Sequence, residues 1–96
     1  MNMFRFRVLI HNTKKNYSRW VIFPQDVDEL YREFEDYEIL RYKQSHNIFE
    51  DVSNYSLYDI NEAIKSVKTL SNEELLKVVQ YLDKTGELLN PWSVIS

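Results

Sequence analysis

Apolar and polar positions alternate from Met3 to Ile10, with Phe4, Phe6, Val8 and Ile10 on one side and Arg5 and Arg7 on the other. Period two with aromatic and branched side chains predicts a half-buried strand whose arginines form its solvated face. His11–Asn16 is polar and turn-like, and Tyr17–Phe23 reads as a second strand, so the two predict a hairpin with a loop of about six residues. Pro24 stops strand pairing because it has no N–H to donate. Asp26 is a good helix N-cap, with Glu29 placed three residues later as in a capping box. The helix that follows would bury Val27, Leu30, Tyr31 and Phe34 on one face. Tyr37–Lys43 predicts a third strand. Gln44–Asn54 is a polar connection with an apolar patch, Ile48-Phe49, which reads either as a brief fourth strand or as a plug for the core.

The second half of the chain has helical period. Ser56, with Asp59 three residues on, caps a predicted helix to about Lys68, whose core stripe is Ile60, Ile64 and Val67. Ser71 and Glu74 form a stronger capping-box pair, opening a helix through Leu75, Val78, Val79 and Leu82. Gly86, the only glycine, stands where that helix should end in a left-handed residue. The apolar tail Leu88-Leu89-Asn90-Pro91-Trp92 either folds back or docks on another chain. The sum is a single α+β domain over residues 1–96: a small, mostly antiparallel sheet (ββαβ) followed by an antiparallel helix pair.

Composition supports a core of aromatic rings, with seven Tyr, five Phe and two Trp in 96 residues. A single Gly and two Pro argue against a low-complexity chain. The absence of cysteine removes disulfides, thiolate metal sites and cysteine nucleophiles. No apolar run reaches the roughly 20 residues that span a bilayer, and the N-terminus lacks a signal-peptide pattern. A soluble, cytoplasmic protein is expected.

Charge changes the picture more. The net charge is only −3, yet residues 26–38 hold seven carboxylates and one base, Arg32, while residues 1–19 hold five bases and no acid. Acidic residues in the first turn suit the helix dipole, which accounts for part of the acidic run. The rest speaks to partners. Catalytic chemistry is not indicated. His11 and His46 sit in expected polar loops without further ligands at metal spacing. There is no nucleophile elbow, and one glycine is too few for a phosphate-cradling loop. Glu35, Asp36 and Glu38 lie in a hydrophilic run, without the buried environment that raises a catalytic carboxyl. Neither enzyme activity, a cofactor nor a metal is expected. Most tyrosines lack neighbouring bases, apart from Arg41-Tyr42-Lys43, so core packing is the reading preferred over a stacking platform.

The order of certain segments is informative. Trp20-x-x-Phe23-Pro24-x-Asp26-x-x-Glu29-Leu30 resembles the tryptophan strand, proline and acidic helix start of the ArdA antirestriction family. Asp36-Tyr37-Glu38-Ile39 is similar to that family's next strand, and Tyr55, Tyr58 and Ile60 with Asn61-Glu62-Ala63-Ile64 look like its tyrosine, helix and Leu-Asn segment. The collinearity runs over roughly residues 17–82. The resemblance implies a shortened, single-domain relative of proteins carried by plasmids, conjugative elements and phages, which mimic duplex DNA and occupy the DNA groove of type I restriction–modification enzymes. Family members are longer and more acidic, and they keep acids where this chain has Arg41-Tyr42-Lys43.

On the matching positions the resemblance makes Asp26, Glu29, Asp36, Glu38 and Glu62 mimic charges, and charge alone adds the neighbouring Asp28, Glu33 and Glu35. The expectation is a counter-defence inhibitor binding a host defence complex, either a type I restriction–modification enzyme or a CRISPR effector, through this acidic face. Two other readings stand beside it. One is a small adaptor or regulatory module using the helix pair and the apolar tail. The other is a nucleic-acid binder using the basic hairpin, which is not the expected one because net basicity is missing.

Overall fold

Alternation along the first strand becomes two unlike faces of a sheet. A computed structural model describes residues 2–94. Strand β1 (Phe6–Asn12) pairs antiparallel with β2 (Tyr17–Phe23) on one side and with β3 (Tyr37–Gln44) on the other, giving the order β2-β1-β3. Phe6, Val8, Ile10 and Asn12 point inward and are buried, while Arg5, Arg7 and Leu9 point outward. In register with the inward set lie Phe23, Val21, Arg19 and Tyr17 of β2 and Gln44, Tyr42, Ile39 and Tyr37 of β3. The β1–β3 register shifts between Leu9 and Ile10, whose partners are Arg41 and Ile39, so Leu40 is the extra residue of a bulge. The polar loop is shorter than expected, because His11 and Asn12 continue β1 and pair with Ser18 and Tyr17.

Helix α1 (Val27–Glu33) leads from β2 to β3. The Asp26 side chain accepts hydrogen bonds from the backbone N–H of Asp28 and Glu29 at 3.0 and 3.4 Å, as an N-cap should. Only half of the expected capping box forms, since the Glu29 carboxylate turns to Arg32 instead, at 3.0 Å. Leu30 and Phe34 enter the core. Tyr31, expected on that face, lies at its rim and meets Tyr37 with ring centroids 6.0 Å apart.

Every phenylalanine is buried: Phe4, Phe6, Phe23, Phe34 and Phe49. Each such side chain contributes about 1.5–3 kcal/mol relative to exposure. Phe6 is the hub, stacked on Tyr42 at 5.8 Å and edge-on to Phe49 at 5.9 Å. Ile48 and Phe49 plug the core, and their backbone also forms a short parallel bridge with the tail. Leu89 N–H donates to Ile48 C=O, and Glu50 N–H donates to Leu89 C=O, each at 2.9 Å. The tail therefore folds back.

Helix α2 (Leu57–Lys68) buries Leu57, Ile60, Ala63, Ile64 and Val67 under its Ser56 cap. Helix α3 (Asn72–Thr85) follows, completing the C-terminal helix pair. It starts in the full Ser71/Glu74 capping box and stops at Gly86, whose φ of 73° is left-handed. Leu75 and Leu82 are its buried residues, with Val78 and Val79 at the edge of the core. A last turn, α4 (Pro91–Val94), packs on α2. Buried asparagines fasten distant segments through side-chain hydrogen bonds, Asn2 and Asn12 among them. Asn2 donates to Val67 C=O at 2.7 Å and to Leu70 C=O at 2.9 Å. Asn12 donates to Glu33 C=O at 2.8 Å.

Candidate functional site

The eight carboxylates singled out by charge and resemblance do not form one row. Their surroundings divide them into those neutralised by the chain's own bases and those left open. Glu33, the last residue of α1, reaches the inner face of the sheet and holds the Arg19 guanidinium through both carboxylate oxygens. The Tyr17 hydroxyl donates to the same carboxylate at 3.0 Å. Arg19 lies over the Phe34 ring at 5.4 Å, so the pair is lodged against the core edge. The hydrogen bond from Arg19 pulls the Glu33 carboxyl below its usual range, against an opposing effect of burial. Burial, then the neighbouring Glu33, pushes the Tyr17 hydroxyl up. This is a structural clamp between α1 and β2.

Three more of the set are paired at the surface. Glu35 meets Lys14 at 3.4 Å, Glu29 meets Arg32 at 3.0 Å, and Glu62 meets Lys65 at 3.0 Å. The chain's separation of a basic hairpin from an acidic segment is thus partly cancelled by folding: Lys14 and Arg19 swing onto Glu35 and Glu33. The turn positions that bring them together are local. Asn16 and Asp36 adopt positive φ (54° and 47°), which Asn and Asp tolerate better than most residues. Asp36 C=O accepts the Thr13 N–H and hydroxyl, tying the turn before β3 to the hairpin loop.

Asp28, Asp36 and Glu38 are exposed and, among the described residues, in no ion pair. Asp26 is exposed but occupied in capping. Glu38 stands apart from the helical acids, on the outer face of the sheet opposite His11. Glu62 is half-buried on α2. Asp28, by contrast, sits one turn before Tyr31 on α1, and from Tyr31 a continuous polar–aromatic surface begins. The Tyr31 hydroxyl accepts the Tyr58 N–H at 3.1 Å. Asp59, next in the chain, accepts the Trp92 indole N–H at 2.9 Å, and Trp92 meets Tyr55 edge-on at 4.9 Å. Tyr58 and Trp92 remain 54% and 64% exposed.

In the sequence Asp59 stands out as the partner of the Ser56 cap, Tyr55 and Tyr58 in the family-like segment and Trp92 in the tail, but not as one group. The available signal was the acid following Tyr58 at the start of α2, but only the return of the tail brings Trp92 to it. A second patch was missed as well. Trp20 on the outer sheet face is approached by the Arg7 guanidinium at 5.0 Å and the Lys43 ammonium at 5.5 Å.

Among the described residues no group of three or more His, Asp or Glu is arranged to hold a metal ion, and no helix is long and apolar enough to cross a membrane. His11 is a strand residue rather than a loop one, with Nδ1 2.6 Å from the Ser18 hydroxyl, and His46 Nδ1 lies 2.7 Å from the Ser45 hydroxyl. What the acid–aromatic surface can do chemically is bind: carboxylates supply long-range attraction to cations, and exposed Tyr and Trp supply contact area at low entropic cost. The chain matches no family model, and neither a curated protein nor a solved structure matches it.

Proposed function

We propose that this protein is a counter-defence inhibitor of a phage or mobile element. It binds a host nucleic-acid-targeting defence enzyme, a type I restriction–modification enzyme or a CRISPR effector, at the basic surface that normally holds DNA. The observation that carries the reading is the open carboxylate of Asp28 one turn from Tyr31 on α1, with the Tyr31 hydroxyl accepting the Tyr58 N–H and exposed Trp92 donating to the neighbouring Asp59. Carboxylates facing the enzyme's Lys and Arg would release counterions on both sides, as phosphates do. The aromatic rings would give the contact a short-range, salt-resistant part. The collinear resemblance to the ArdA family over residues 17–82 supports the same reading.

The charge of the acidic segment is smaller in the folded protein than along the chain. Glu29, Glu33, Glu35 and Glu62 are already paired and Asp59 is engaged by the Trp92 N–H, so the charge of the contact relies chiefly on Asp28 and Asp36. A compact patch fits the reading better than a long decoy. The experiment is cleavage of unmodified DNA by a purified type I enzyme, and interference by a purified CRISPR effector, with the protein titrated in at low and moderate salt. Inhibition that weakens with salt and is relieved by excess duplex DNA is the expected result. Inhibition indifferent to both would exclude the mimicry, and no inhibition of either enzyme class would exclude the reading.

The adaptor reading rests on the same exposed Trp92 of the folded-back tail and differs over the acids. It predicts that Trp92→Ala removes partner binding while neutralised acids leave it intact.

A further inference from the structure

The outer face of the sheet carries a chemistry opposite to that of α1. Strand parity places Arg5, Arg7 and Leu9 of the first strand region, Trp20 and Ile22 of β2, and Arg41 and Lys43 of β3 on this one side. Arg5, Arg7, Ile22, Arg41 and Lys43 are all exposed. Glu38 is the one acid of the three strands on this side, at the far end opposite His11.

Five bases elsewhere are neutralised, while Lys15, Lys68 and Lys84, like the bases on this face, are in no ion pair among the described residues. Lys14, Arg19, Arg32, Lys65 and Lys77 each have a carboxylate within 4.0 Å. Among the described residues Arg5, Arg7, Arg41 and Lys43 are in no ion pair. Arg7 and Lys43 are moreover direct cross-strand partners, a like-charge juxtaposition that costs stability by itself. Both converge on the Trp20 ring, whose quadrupole offsets part of that cost. Beside them opens a cleft of about 400 Å³ bordered by Arg5, Arg7, Ile22 and Lys43.

We propose that this face binds single-stranded nucleic acid. Unneutralised cations at strand spacing beside an indole supply what an unpaired polynucleotide requires, namely phosphate contacts along the backbone and a flat partner for a base. A stacked base would lie against Trp20 or the planar Arg7 guanidinium, with phosphates shared between Arg5, Lys43 and Arg41. Three strands about 4.8 Å apart make a platform about 10 Å wide, which suits two or three nucleotides. Duplex DNA offers no free base face, and the carboxylates of a polyacid carry no ring, so charge complementarity and stacking together favour the single strand. Linear sequence hid this arrangement, because Trp20, Arg7 and Lys43 come from three different strands. The acidic surface of α1 uses none of these residues, so the two proposals stand or fall separately.

The test is fluorescence anisotropy of a short labelled oligothymidylate with the full chain at low salt, competed by the matching duplex and by polyglutamate. The expected result is saturable binding that neither competitor displaces, with log affinity falling against log salt at a slope of about −0.7 per phosphate contacted. Trp20→Ala, and separately the exposed pair Arg7→Gln and Lys43→Gln, should each weaken it about tenfold or more. Where Trp20→Ala fails to fold by circular dichroism, the exposed pair decides. No anisotropy change at low salt would overturn the proposal. So would displacement by polyglutamate or duplex as effective as by unlabelled single strand, or full binding by a folded variant lacking both cations.

Discussion

The side-chain oxygen of Asn61, buried on α2, accepts the backbone N–H of Gln25 at 2.9 Å, one residue before the cap of α1. This bond fixes where the acidic helix starts relative to the helix that carries Tyr58, Asp59 and Glu62. Without it the Gln25 N–H would be left part-buried and unsatisfied, so the bond is a local determinant of how the binding surface is assembled.

Replacing Asn61 with Ala should cost about 1–3 kcal/mol, the penalty of an orphaned polar group. Urea denaturation measures the loss. Native-state hydrogen exchange should show the Gln25 amide opening faster, while amides of α3 follow only the global change.

Glu33 and Arg19 give a pH dependence with a definite sign. The Glu33 carboxyl is held below its unfolded value, chiefly by Arg19. Its contribution is therefore present above the unfolded carboxyl range, near pH 4.3, and is lost as pH falls through the lower folded value. The pair is partly exposed, 44% and 32% by side chain, so Glu33→Gln should cost about 1 kcal/mol at neutral pH after solvent screening. Thermal melts of both proteins from pH 7 to pH 3 should converge toward the acid end. A difference that grows on acidification would contradict the assignment.

The ends of α3 offer two independent tests. Ser71→Ala removes the cap that holds the Glu74 N–H at 3.1 Å and should cost about 1 kcal/mol. Gly86→Ala places a Cβ where no atom lies within 4 Å, so its cost of about 1–2 kcal/mol comes from the left-handed backbone alone. Each kcal/mol should lower the melting temperature by about 4–8 °C, and the double variant should show their sum.

How much of this was legible in the chain depended on the range of the interaction. Local chemistry was: Ser71 with Glu74, the glycine at 86, and the alternation of Phe6, Val8 and Ile10 each act within a few residues. Cross-strand and tail contacts were not. Period two shows that Arg7 and Trp20 can face outward, but only register brings them together. The polarity of the charge pattern was visible, yet its partial cancellation needed the hairpin loop to fold over the end of α1, placing Lys14 beside Glu35. Tyr31 was expected in the core from helical spacing. A short helix held at Leu30 and Phe34 leaves it at the rim, where its hydroxyl can reach the Tyr58 backbone.

The site residues divide by the same logic. Reversing Glu33 or Glu35 would remove structural partners of Arg19 and Lys14, so loss of function there would confuse folding with recognition. Neutralising the Asp28, Glu29, Asp36 and Glu38 carboxylates instead leaves that clamp intact. The variant Asp28→Asn, Glu29→Gln, Asp36→Asn, Glu38→Gln should keep the far-ultraviolet circular dichroism spectrum and a melting temperature within a few degrees of the parent, because these groups are exposed.

Inhibition of DNA cleavage or CRISPR interference by that folded variant, measured against the parent across a salt series, tests the central claim most directly. Inhibition reduced about tenfold or more, with a flatter salt dependence, is the predicted result. Inhibition equal to the parent's by a variant that is folded and lacks these four carboxylates would contradict it.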